Sequence, residues 1–263
     1  MPSRQASASL NHTLVAMPSR DQTDRAEALL SLSIALIESA IDILKVNVTT
    51  DEQLCRDSLL MPGGTIGKHL RHVIETFRAF LLPLYPPKGS SSAEVLEINY
   101  DSIHPTARRP IARSVSSCLH ALEEVRDELI HWGEACRSPT SSSISQSGNG
   151  KDVLRGEEVA GGVAGEVGVN RNGLAQAMER EVKVVAITPT RQQMGSTVGR
   201  ELWYISLHAI HHFSMLRTIA VHEHGLELPV EFGTAPSTLL YRGLSWKPPT
   251  ENKEVQVTVK SKL

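Results

Sequence analysis

Apolar residues recur along this chain in four runs at helical spacing. The first extends from Ala26 to Leu44, where Leu29, Leu30, Ala35, Leu36, Ile37, Ala40, Ile41 and Leu44 include the i, i+3, i+4, i+7 series of a helix buried over a broad face. Asp24 or Thr23 is placed to cap its start, and it ends near Val46 to Asp51, with Leu54 to Met61 read as loop. The second run, Thr65 to Leu82, follows the break at Pro62-Gly-Gly, takes Thr65 as N-cap and closes at Pro83 and Pro86-Pro87. A third helix is predicted from Pro110, a residue suited to a first helical turn, to about Glu134. Its apolar positions Cys118, Leu122, Val125, Leu129 and Trp132 recur at three or four, and Glu123, Glu124, Asp127 and Glu128 fill a solvated face. The last helix runs from Ser196 or Thr197 as N-cap to about His224, where Gly225 ends it. His222 and His224 suit the negative end of its dipole.

The connections read differently. Residues 88–109 form a link containing Asn99-Tyr-Asp101, with an Asx-type turn expected at Asp101-Ser102. Ser138 to Asn172 is rich in Ser and Gly and is read as a mobile insertion; Gly161 to Gly168 lacks the Gly-Lys-Ser/Thr ending of a phosphate loop. Glu181 to Thr188 is β-branched with partial alternation, a short strand or a hairpin with Arg191 to Met194. The chain thus reads as a tail over 1–22, one domain over 23–242 with an insertion at 138–175, and a second tail over 243–263.

Composition narrows the class. Hydrophobic residues make up 40% of 263 and charged residues 21%, enough to bury a core. A net charge of -2 gives no basic field, and the Lys/Arg clusters lack interleaved aromatics, so nucleic acid is excluded as a partner. No apolar run is long enough to span a membrane. Cys55, Cys118 and Cys136 are odd in number and scattered, which suits a reducing compartment and small buried side chains. The first twenty residues carry Ser, Arg4 and Arg20 and no acid, as organelle transit peptides do; arginine is sparse, and a cytoplasmic chain with a disordered tail is the reading adopted.

Histidine changes the picture. Five of eleven histidines fall in two segments of the second and fourth helical runs, Thr65 to Leu82 and Glu201 to Arg217. On a helix His208 and His212 stand one above the other, with His211 on the neighbouring edge, and His69 and His72 again share a face. Two such helices side by side bring three imidazoles to one divalent cation and leave a coordination position open. The nitrogens of such a set are expected about 3 to 4 Å apart, since metal-to-nitrogen bonds are about 2.1 Å. His72, Val73, Phe77 and Phe80 are read as one face, which turns His72 to the core side. Imidazole suits zinc, nickel, iron and copper alike.

Four blocks occur in a telling order: Thr65-Ile-Gly-Lys-His-Leu-Arg-His-Val-Ile-Glu75, Asn99-Tyr-Asp101, Gly199-Arg-Glu-Leu-Trp203 leading into His208-Ala-Ile-His-His212, and Glu231-Phe-Gly-Thr-Ala-Pro-Ser-Thr-Leu239. In that order they resemble the DinB-like (DinB/YfiT) superfamily, from about Arg25 to Arg242, with an unmatched insertion after the third helix. The resemblance implies an all-α four-helix bundle that carries zinc or nickel on one histidine of the second helix and an H-x3-H pair of the last. Carried across, the ligands fall on His72, His208 and His212. His69, one turn earlier, could replace His72 or act behind it.

The resemblance further implies a metal-dependent enzyme acting on a small molecule, by transfer of a low-molecular-weight thiol or by hydrolysis. His69, His211, Glu75 and Tyr204 are then candidates for orienting an imidazole or passing protons. Glu75 also fits a surface ion pair. A homodimer is compatible with this reading. Two other classes stay open: a non-catalytic scaffold or stress-response protein braced by metal, and a metal-free helical module whose histidines form a polar network.

Overall fold

The computed structural model describes residues 21–85, 95–101, 108–138, 171–187 and 189–243. The helices are α1 (Gln22–Val46), α2 (Asp51–Cys55), α3 (Ile66–Leu81), α4 (Arg108–Arg113), α5 (Val115–Arg137), α6 (Arg171–Glu179), α7 (Val198–His222) and α8 (Pro236–Arg242). A 3-10 turn at Leu82–Leu84 extends α3, and the strands are β1 (Leu96–Asn99), β2 (Glu181–Ala186) and β3 (Gln192–Thr197). Gly161 to Gly168, most of the expected insertion and all of the expected tails except residues 21, 22 and 243 lie outside the described residues; Asp21 and Gln22, expected in the first tail, belong to α1 and its cap.

Caps explain where the helices begin. Asp21, not Asp24 or Thr23, starts α1: its carboxylate accepts the backbone N–H of both residues, at 2.9 and 3.0 Å. Thr65 accepts from Lys68 N at the start of α3, and Thr197 from Arg200 N at the start of α7. The expected loop from Leu54 to Met61 begins inside a helix, since α2 continues through Cys55: Thr50 and Gln53 form a reciprocal capping box and Leu54 is fully buried. The third helix is divided. Ser114 takes an extended conformation, accepts from Ser117 N and so separates α4 from α5, while Asp51 accepts from Val115 N at 2.7 Å.

Each long helix touches two others in a closed ring, α1 to α5, α5 to α3, α3 to α7 and α7 to α1. Their facing stripes form one core with Leu30, Ile37, Leu70, Phe77, Leu122 and Phe213 at its centre. Where α1 meets α7, the hydroxyls of Ser33 and Ser206 lie 2.9 Å apart, and each also reaches a carbonyl on its own helix, so no polar atom is stranded. Close approach also needs glycine. A Cβ on Gly133 would stand 2.4 Å from Leu30 Cδ2, and one on Gly67 would stand 2.2 Å from the Ala112 carbonyl.

The chain is mostly helical, but a three-stranded sheet of order β1-β2-β3 adds to the expected all-α fold. β2 and β3 form the antiparallel hairpin, with Val182 opposite Ser196 and Val184 opposite Met194. β1 pairs with β2 in parallel, Ile98 opposite Val184. Its four residues are too short a run to signal a strand in a link containing Ser and Pro. α6 starts inside the stretch read as insertion, because Leu174, Ala175 and Met178 bury one face against the core.

α7 ends at His222, and Gly225 takes the left-handed conformation (φ 64°) while Leu226 N closes on Ala220 O. Burial, with Arg56 nearby, lowers the His224 pKa, so this imidazole adds no charge to the helix end at neutral pH. None of the described helices is long and apolar enough to cross a membrane.

Candidate metal centre

The histidine site sits where α3 lies against α7. On α3 the buried stripe is Leu70, Val73, Ile74, Phe77 and Phe80. His69 and His72 flank it on the side that meets α7, and His208 and His212 answer from successive turns of that helix. His72 is exposed, not turned to the core. The expectation fails because five residues, His72 to Phe77, turn the helix by about 140°, too far for one face.

One ring nitrogen from each of His72, His208 and His212 lies within 4.8 Å of the other two. His72 Nε2 and His208 Nε2 are 2.9 Å apart, while the set as a whole is looser than the expected 3 to 4 Å. Ring centroids separate by 5.0 Å for His72 and His208, 4.7 Å for His72 and His212, and 4.6 Å for His208 and His212. Two bare lone pairs cannot face each other at 2.9 Å; a proton or a cation must lie between them. Bonds of about 2.1 Å at a tetrahedral angle set nitrogens about 3.4 Å apart, so a small ring rotation accommodates an ion.

The donor set fits a divalent cation. Burial, then the neighbouring His72 and His211, lowers the His208 pKa to about 4. Burial, then His208, His72, His69 and His211, lowers that of His212 to about 3. Both rings are therefore neutral at pH 7 and keep a lone pair for a metal. Exposure of His72 leaves one side of the set open to solvent.

The other singled-out residues fall at different distances. His69 Nδ1 lies 3.0 Å from His212 Nδ1, and its Nε2 is buried with no hydrogen-bond partner among the described residues. Burial lowers its pKa as well. His211 is exposed, with its ring 5.4 Å from His212 and 6.4 Å from His208. Tyr204 stacks on His208 at 5.9 Å, and the Arg200 guanidinium lies over the Tyr204 ring, 5.3 Å from its centroid. Glu75 stands 3.7 Å from Arg71, its i−4 neighbour. Of the cysteines, all are free; Cys118 is buried, which pushes its thiol to about 12.

One group escapes a reading of the sequence alone. Glu201 is only 2% exposed and accepts from Tyr100 Oη at 2.8 Å, Ser196 Oγ at 2.6 Å and Arg200 at 2.9 Å. The Tyr100 ring in turn lies 5.6 Å from Tyr204, which joins this network to the histidines. The signal was a carboxylate between the apolar positions Val198, Leu202 and Ile205. The Asx-type turn expected at Asp101-Ser102 runs into residues outside those described; among the described residues Asn99 Oδ1 accepts Asp101 N, and the Asp101 carboxylate accepts Ile187 N.

No protein-family model and no solved structure matches the chain. Over 47 residues it is 53% identical to FK506-binding protein 5 of Rhizopus delemar, a stretch covering 18% of this chain and 12% of that protein.

Proposed function

We propose that this chain is a DinB-like four-helix bundle that binds a divalent metal, zinc or nickel, through His72, His208 and His212. The reading is carried by one observation: imidazoles from helices 136 residues apart in sequence meet within hydrogen-bonding distance on the open side of the α3/α7 seam. It makes the protein a metal-dependent enzyme acting on a small molecule, by low-molecular-weight-thiol transfer or by hydrolysis. A cation held there supplies Lewis acidity, lowering the pKa of a bound thiol or water and polarising a carbonyl. The chain supplies the rest. Exposed His72 and His211 leave the substrate an approach from solvent, and Tyr204 walls one side of His208. His69 accepts or donates at His212 Nδ1 and fixes that ring's orientation.

Metal analysis of protein purified without a histidine tag tests this directly. About one zinc or nickel per chain is expected, falling to background in His208→Ala; less than about 0.1 per chain in the parent protein overturns the reading. A thiol-transfer screen with and without chelator then tests catalysis. If His208→Ala loses metal and the screen stays silent while the melting temperature drops, the metal braces the helices and does not catalyse.

A further inference from the structure

A cavity of about 490 Å³ lies between α3, α4 and the end of α2. Lys68 and Arg71 line it from α3, and Arg109 and Arg113 from α4, against the single carboxylate of Asp57. The helices are held this close by Gly67, whose missing side chain lets the Ala112 carbonyl approach. Four cations around one cavity repel one another, and an anion among them relieves that repulsion.

Their existing partners leave that charge largely unanswered. Lys68 Nζ donates to Gly63 O at 2.8 Å and stands 3.7 Å from Asp57. Arg71 Nε is buried without a hydrogen-bond partner among the described residues, and its carboxylate neighbour Glu75 is 3.7 Å away. Arg109 and Arg113 form no ion pair with any described residue. Guanidinium forks and a lysine ammonium together suit an oxyanion with two charges and several acceptor oxygens. The cavity is also of a size that takes a small molecule.

We propose that the α3/α4 cavity binds a phosphate group, either free phosphate or the phosphate of a small phosphomonoester. The site is separate from the histidines, since Lys68 and Arg71 each precede a histidine by one residue and so project about 100° away from it round α3. It does not depend on the metal reading.

Calorimetric titration of the full chain with inorganic phosphate and with phenyl phosphate, after chelator treatment, tests it. Saturable binding that weakens as salt rises is expected, and Arg109→Ala with Arg113→Ala should weaken it at least roughly tenfold. Both arginines are exposed, so this variant keeps the core intact. Tighter binding of phenyl phosphate identifies a phosphomonoester site, and equal binding a free-phosphate site. Absence of saturable binding of both probes up to about 10 mM, unchanged affinity in the double variant, or binding seen only before chelation overturns the proposal.

Discussion

Tyr100 donates its hydroxyl to the buried carboxylate of Glu201 over 2.8 Å, tying the residue after β1 to the first turn of α7. Burial, then the bond to Glu201, raises the Tyr100 pKa, so the phenol stays a donor throughout the working range. Tyr100→Phe leaves Glu201 with Ser196 and Arg200 and should cost about 1 to 3 kcal/mol in urea unfolding. Glu201→Leu removes the acceptor of Tyr100, Ser196 and Arg200 at once, with only the exposed Arg200 free to turn to water, and should cost more than the tyrosine variant. A smaller loss would show that water takes the place of the carboxylate.

The contact of Gly67 with Ala112 sets a second test. Gly67→Ala places a methyl group 2.2 Å from a backbone carbonyl, so α4 must move away from α3. Overpacking of this kind costs about 1 to 3 kcal/mol. Phosphate affinity should fall with it, because Arg109 and Arg113 ride on α4. Unchanged unfolding would mean that α4 packs more loosely than described.

Glu223 predicts an acid limb. Its carboxylate accepts from Ser58 Oγ, Leu60 N and Leu59 N, which lowers its pKa from 4.5, the Ser58 bond contributing most. The unfolded chain therefore takes up this proton at higher pH than the folded one. Stability from the clasp is complete above pH 4.5 and is lost as pH falls through the lower folded value. Glu223→Gln should flatten that part of the stability profile and leave the neutral-to-alkaline part parallel to the parent; an unchanged acid limb would assign it to other carboxylates.

His69 meets His212 nitrogen to nitrogen, so a metal on the far nitrogen of His212 requires the His212 proton to point at His69. His69→Ala should weaken metal binding about tenfold in competition with a chromogenic chelator while His72, His208 and His212 stay in place. Equal affinity in the two proteins would make His69 a packing residue only.

The long helices could be read from the chain because their apolar residues repeat over about four or more turns, and Thr65 and Thr197 mark their starts by side-chain chemistry that needs no tertiary partner. Spacing also picked out the histidines, as i, i+3 and i, i+4 pairs are local. The exposure of His72 is not legible in the same way, because five residues on from it, at Phe77, the helical phase no longer matches. β1 and α6 were missed for another reason. Each is short, and each is held by partners distant in sequence, β1 by β2 and α6 by α1 and α5. The basic cavity is of the same kind, joining cations that lie about forty residues apart.

The parallel pairing of β1 with β2 means that neither half of the protein completes its own sheet. A chain severed once between 138 and 171 would yield a first piece with β1 and His72 and a second with the hairpin, His208 and His212. Each piece would expose the edges and apolar stripes that the other covers, so the two should reassemble when mixed. Recovery of a three-imidazole site would report that reunion, because neither piece alone holds the full set.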